Sequence, residues 1–260
     1  MTSRSRQIVT IAGSLILVAF VTWLLFIAFD ESAVDNRMST LNPLSWQAQR
    51  YHDVYELVWW LSGAVFVAIM AATLILSILY RERPGNEPRR DIHGNTRLEI
   101  LWTIIPIIIV LIMVVPTFSA VIAVEADADE GALEVTATGH QWWFEFTYHD
   151  EDGNEMFRTA NEMHVPVGRA VNVSLQSNDV IHAFWVPALF GKKDMMPGHN
   201  NRLWFTPNAG TEGMHYGQCV EYCGDSHANM RFRIFVDSEE DYDQWVANQM
   251  SDASWSNDEL

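Results

Sequence analysis

Three long apolar runs crowd the first half of the chain, and the second half has none. They are IVTIAGSLILVAFVTWLLFIAF (8–29), VYELVWWLSGAVFVAIMAATLILSILY (54–80) and LEILWTIIPIIIVLIMVVPTFSAVIAV (98–124). Each exceeds the roughly 20 residues a helix needs to cross a hydrocarbon core about 30 Å thick. Pro106 and Pro116 do not exclude a span, because neighbouring helices and local backbone adjustment re-satisfy the carbonyls that proline frees. The chain therefore reads as a membrane protein with a soluble C-terminal domain.

Charge divides at the same place. Residues 1–124 carry 9 Lys+Arg and 9 Asp+Glu; residues 125–260 carry 7 and 24, so the net −17 belongs entirely to the second part. Nucleic acid is excluded as a partner of that part, since phosphate binding requires clustered cations. Arg4 and Arg6 precede the first run, while Arg81, Arg83, Arg89, Arg90 and Arg97 lie between the second and third. The positive-inside rule makes both regions cytoplasmic, so 31–53 and 125–260 fall outside. The first run also fits a secretory signal, although FDESAVDN lacks a small-x-small cleavage site; a retained helix is the favoured reading. The expected organisation is an N-terminal segment (1–30), an external loop (31–53), a helical hairpin (54–124) with a cytoplasmic loop at 81–97, a soluble domain (125–237), and an acidic helix with a tail (238–260).

From Gly131 the pattern changes to alternation. LEVTAT (133–138), WWFEFTY (142–148), AVNVSLQ (170–176), RLWFTP (202–207) and RFRIFV (231–236) read as strands, with apolar residues at every second position or dense aromatics. Turn formers separate them, as in HDEDGNE and PNAGTEG. Short strands at this spacing predict an all-β Greek-key sandwich. SEEDYDQWVANQM (238–250) is the single helical stretch expected there, with Ser238 as N-cap and acids in its first turn.

CVEYCGDSHANM (219–230) holds both cysteines of the chain. An external thiol pair is commonly a disulfide. Here, however, Cys219 and Cys223 are followed by His227 and Met230, and His182 lies upstream in NDVIHAFWVP, a position that a Greek key can fold against this loop. Soft sulfur with imidazole selects copper or zinc, and an added thioether favours an electron-transfer copper site. Zinc would need only the two cysteines and two histidines, leaving Met230 without a role. One copper ion would leave a cysteine to spare, whereas two ions could share both.

HYGQCVEYCGDSHANM, together with NDVIHAFWVP and MPG, resembles subunit II of cytochrome c oxidase, the bearer of the binuclear copper centre CuA. The shared spacing is C-x-E-x-C-x-x-x-H-x-x-M. GHQWWFEF (139–146) is similar to that family's aromatic stretch, and RLEILWTIIP (97–106) to the start of its second membrane helix; the likeness runs from about residue 54 to 236. HANM stands where HSFM is commoner, and His199 where arginine is frequent. The resemblance implies a cupredoxin-like fold in which His182, Cys219, Cys223, His227, Met230 and the carbonyl of Glu221 are copper ligands. It also implies that the Glu221 carboxylate helps hold magnesium shared with oxidase subunit I, and that Trp142 receives electrons from the donor. Glu99 would stand at the mouth of a proton pathway and Asp179 near the donor-docking surface. For Glu99 the dipole of its own helix is an equally good reason to place an acid there. His140, His149, His164, His199 and His215 are read as structural or surface residues.

The acidity suits either of two purposes. It could steer a cationic cytochrome c, or it could maintain hydration in brine, where a Debye length of about 3 Å at 1 M salt abolishes steering. Lys192 and Lys193 are the only lysines, which favours brine and makes a small copper protein as suitable a donor as cytochrome c. By resemblance the chain passes electrons to haem in subunit I, where oxygen is reduced to water and protons are pumped. Rival readings are a subunit of a CuA-bearing nitric oxide reductase, a copper-free quinol oxidase subunit, and a membrane-tethered copper carrier.

Overall fold

The computed structural model describes residues 3–28, 38–81, 94–126, 128 and 131–256. The expected cytoplasmic arginines Arg83, Arg89 and Arg90 and the tail 257–260 lie outside the described residues. The chain divides into two compact units: Met1–Ser32 with Asp53–Ser119, and Ala33–His52 with Ala120–Leu260.

Helices dominate the first unit. α1 spans Ser3–Ala28, and the longer helices α2 (Trp46–Leu79) and α3 (Thr96–Glu125) contribute all but their outer ends. α2 and α3 are long and apolar enough to cross a membrane; the described apolar run of α1 is Ala12–Leu24. No described residue of α3 is buried, although the helix is apolar all round. Such a surface is compatible only with a non-aqueous surround. Thr73, Thr103 and Thr117 return their hydroxyl protons to the carbonyls of Ile69, Glu99 and Met113, at 2.7–2.8 Å, so these polar groups are satisfied within their own helices. Glu99 is an exposed residue in the first turn of α3, and its Oε1 accepts the Asn95 backbone N–H at 3.1 Å. Asn95 Oδ1 in turn accepts the Leu98 N–H at 3.3 Å. This reciprocal cap accounts for an acid at that position.

Among the described residues, ten strands build the second unit: β1 Leu133–His140, β2 Trp143–His149, β3 Glu155–Ala160, β4 Glu162–Pro166, β5 Val171–Ser177, β6 His182–Trp185, β7 Lys193–Met195, β8 Asn201–Phe205, β9 Gly213–Cys219 and β10 Arg231–Asp237. They form two five-stranded sheets, ordered β3-β2-β1-β5-β8 and β4-β10-β9-β6-β7. Pairing is antiparallel except for β1 with β5 and β10 with β4. The inner faces alternate as the pleat demands: Leu133, Val135 and Ala137 on β1, Val171, Val173 and Leu175 on β5, and Phe232, Ile234 and Val236 on β10 are buried. Phe232 sits at the centre, its ring 4.6 Å from that of Phe184 and 4.7 Å from that of Phe144. α4 (Glu239–Ser256) closes one end. Ser238 caps it, its hydroxyl accepting the Asp241 N–H at 3.2 Å and donating to the Asp241 carboxylate at 2.7 Å. Trp245 of α4 packs against Tyr148, Phe157 and His164.

Two expectations are corrected. The external loop does not extend to residue 53, because α2 begins at Trp46, where Ser45 Oγ accepts the Ala48 N–H at 3.0 Å. The soluble domain also includes a stretch that precedes α2. Leu44 N donates to Ala188 O at 2.7 Å, Asn208 N to Leu44 O at 2.9 Å, and the Ser45 hydroxyl to Leu189 O. Thr206 N donates to Gln47 Oε1 at 3.0 Å. This strap has no hydrophobic period to betray it. It is held by hydrogen bonds of both backbone and side chains.

Candidate metal centre

β9 and β10 form a hairpin whose eleven-residue connection is pinched at its neck, where Cys219 N donates to Met230 O at 3.0 Å. Within the connection Gly224 takes φ +117°, and a Cβ there would meet Gln141 Nε2 at 3.0 Å and the Trp142 ring at 3.2 Å. Glycine therefore serves both the turn and the close approach. His227 N then bonds Gly224 O at 3.1 Å, and a short 3-10 turn (His227–Asn229) leads into Met230.

β6 brings in the distant histidine. Phe184 is in register with Cys219, which places His182, two residues earlier, beside the end of β9. His182 lies against Gly139 of β1, so closely that a Cβ on residue 139 would stand 2.7 Å from its ring.

The donor atoms converge. Cys219 Sγ stands 3.7 Å from Cys223 Sγ and 3.8 Å from His182 Nδ1. Cys223 Sγ stands 3.5 Å from His227 Nδ1 and 3.7 Å from Met230 Sδ. The Cys219 thiol donates to Glu221 O at 3.2 Å. Both cysteines are free and buried, and His182 and Met230 are fully enclosed. Sulfur atoms at 3.7 Å are not bonded to one another, since a disulfide spans about 2.05 Å. His182, Cys219 and Cys223 alone offer three ligand atoms within 4.8 Å of one another. Two thiols, two imidazoles aimed by the same nitrogen, a thioether and a backbone carbonyl make a donor set that fits copper.

Burial pushes the Cys223 thiol up, and the negative charge of Cys219 adds to it, reaching about 12. Burial also opposes ionisation of Cys219, but hydrogen bonds from His182, from the backbone at Ala183 and Glu221, and from His227 outweigh it and lower the thiol to about 6. For His182 burial disfavours the charged ring, yet Cys219 and Asp179 together raise it above its ordinary value.

Asp179, expected near the donor-docking surface, is exposed and also supports a ligand of the cluster. Its Oδ1 accepts from His182 Nε2 at 2.7 Å and from Val180 N at 2.6 Å, and its Oδ2 accepts from Gln141 N at 2.7 Å. The carboxylate thus fixes which imidazole nitrogen faces the thiols, the usual arrangement behind a metal-binding histidine. Burial raises Asp179, but these three donors more than compensate and hold it below the ordinary carboxylate range. The stability it contributes is present in full above the unfolded value of about 3.9 and is lost as pH falls through its lower folded value. Asp179→Asn should cost roughly 1–3 kcal/mol in the metal-free protein at neutral pH and flatten the loss on acidification. Denaturant titrations between neutral pH and about pH 2 check both.

Trp142 and Gln141 occupy the turn between β1 and β2, so Trp142 is not part of a strand as expected. Trp142 is 37% exposed, while Trp143 is partly covered and stacked on His140 at 4.5 Å. Trp142 Nε1 donates to Cys223 O at 3.2 Å and Gln141 Nε2 to the same oxygen at 2.7 Å. Gln141 was missed by sequence reasoning, because an amide between His140 and Trp142 carries no spacing signal. Glu221 is half-buried and Tyr222, beside it, is 74% exposed. Among the histidines read as structural, His149 pairs with Thr136, His164 with Asp237 and His215 with the Thr211 carbonyl.

Comparison with known proteins agrees with this geometry. The family described as "Cytochrome C oxidase subunit II, periplasmic domain" matches residues 150–238, and "Cytochrome C oxidase subunit II, transmembrane domain" matches 42–120. The cytochrome c oxidase subunit 2 of Alkalihalophilus pseudofirmus is 37% identical over 218 residues, covering 82% of this chain and 62% of that protein, so the chain spans about three fifths of that relative. A probable cytochrome c oxidase subunit 2 of Rickettsia felis is 30% identical, covering 80% and 73% respectively. A quinol oxidase subunit 2 of Bacillus cereus is 31% identical, covering 82% and 73%.

Proposed function

The chain belongs to the cytochrome c oxidase subunit II family, and on that premise we propose that it is the electron-accepting subunit of a haem–copper oxidase in the cell membrane. The observation that carries this reading is the pair of unlinked thiols 3.7 Å apart, each with an imidazole Nδ1 beside it. When bound there, a copper pair supplies reversible one-electron chemistry.

The residues of the chain do the rest. Cys219, Cys223, His182 and His227 would hold the two ions. Met230 and the Glu221 carbonyl would serve as weaker ligands. Burial of His182, Cys219, Cys223 and Met230 keeps water from most of this set, and packing of His182 between Gly139 and Asp179 keeps its ring from turning. A rigid ligand shell reorganises little when charge changes. Trp142 joins the outer surface to the Cys223 carbonyl through its indole N–H and is the proposed arrival point for electrons from cytochrome c or a small copper protein. The Glu221 carboxylate is the proposed magnesium ligand shared with subunit I. Glu99 remains a proposed proton-pathway residue beside its capping role, and Asp179 contributes to donor docking only through the part of its carboxylate left exposed. The β domain stands outside the cytoplasm in this reading.

A quinol-oxidising subunit would leave both thiols, both imidazoles and the thioether without a task, so the donor set favours the copper reading. Paramagnetic resonance of the copper-loaded full chain tests it. One unpaired electron split by two copper nuclei is the expected result; splitting by one nucleus, or no signal across the redox range, overturns it.

A further inference from the structure

A polar cavity lies on the same unit, and none of the metal-centre residues line it. A cavity of about 50 Å³ opens among residues that include Gln47, Tyr51, Lys192, Lys193, Arg202 and Trp204. One water needs only about 10–15 Å³, so there is room for a larger polar group. Gln47 is fully buried; its Oε1 is engaged by Thr206 N, but its Nε2 has no hydrogen-bond partner among the described residues. Buried donors are rarely left unpaired. This one calls for an acceptor.

Charge says what kind. The lining carries both lysines of the chain and one arginine, in a domain where acids outnumber bases by 24 to 7. The Glu125 carboxylate also lines the cavity, and it is paired with Lys193 Nζ at 2.7 and 2.8 Å. Counting that acid, the described lining residues carry three basic side chains against one carboxylate.

Position says whose acceptor it is. Tyr51 stands three residues before the apolar run of α2, and Val124 to Ala126, also in the lining, end that of α3. Trp46 stacks on Trp204 at 5.8 Å, and Arg50 lies over the Trp46 ring at 4.9 Å. Tryptophan, tyrosine and arginine at the ends of apolar helices mark headgroup depth. We propose that this cavity binds the phosphate of an anionic lipid headgroup, with Gln47 Nε2 donating to a phosphate oxygen and Lys192 supplying charge.

The test uses the full chain in nanodiscs of phosphatidylcholine doped with phosphatidylglycerol, reading tryptophan fluorescence and lipid retained on extraction. Phosphatidylglycerol should be retained at least tenfold over phosphatidylcholine. Gln47→Glu keeps the acceptor for Thr206 N but replaces the donor by a negative oxygen, and should abolish that preference. Lys192→Gln should lower it about fivefold. Near-ultraviolet circular dichroism and the copper spectrum, unchanged in both variants, would show that the fold and the metal centre are intact. Equal retention of the two lipids, full competition by inorganic phosphate at matching concentration, or a preference untouched by the variants overturns the proposal. So does cross-linking of Lys192 to a partner oxidase subunit in an isolated complex free of bound lipid, which would make the cavity a protein contact.

Discussion

Cys223→Ser will eliminate the two-copper resonance signal and, with it, electron uptake from any external donor. Cys223 is the hub of the site: its sulfur lies within 3.5–3.7 Å of Cys219, His227 and Met230, and its carbonyl receives Gln141 and Trp142. Serine keeps the carbonyl contacts and almost the same volume, so the fold should survive while the soft bridging atom disappears. The loss should exceed the ~10–100-fold that removal of an outer supporting partner typically costs. Copper stoichiometry, resonance and rapid-mixing oxidation of a reduced donor read it directly. Retention of a two-nucleus signal in this variant would refute the assignment of Cys223.

Phe232→Ala should be the most damaging core substitution, costing about 3–5 kcal/mol as buried phenylalanine truncations do. Its ring lies parallel to that of Phe184 and is flanked by Phe144 and Phe146. It also fills the space above Gly217, where a Cβ would stand 2.1 Å from it. Strand β10 would thus lose its anchor two residues after Met230, and β9 its cover two residues before Cys219. Equilibrium urea denaturation should show a lower midpoint with an unchanged slope, and copper affinity should fall along with stability. A change under 1 kcal/mol would mean that the sheets are not joined through this ring.

Strands whose two faces differ were legible from the chain: β1, β2, β5, β8 and β10 alternate because one side meets the core and the other water. The rest carry weaker signals. β6 begins His182, Ala183, Phe184, all buried, so it has no polar face to alternate with. β7 has three residues and β9 contains two glycines and two polar residues. The ligands spaced within 219–230 could be read because a single connection presents them. That His182 joins them depends on β6 pairing with β9, a long-range register no local pattern encodes. Asp179 carries only a docking role by resemblance, and Gln141 none, until the backbone brings both to the metal centre.

The strap that runs into the first turn of α2 has a practical corollary. Excising the β domain by starting the chain after Glu125 removes Leu44, Ser45 and Gln47, and strands the carbonyls of Ala188 and Leu189 and the amides of Thr206 and Asn208. Water would have to replace every one of those partners at an edge shaped for peptide. A fragment that instead grafts residues 38–49 back onto this edge would keep the seam closed, and is the better starting material for spectroscopy of the isolated copper-binding half.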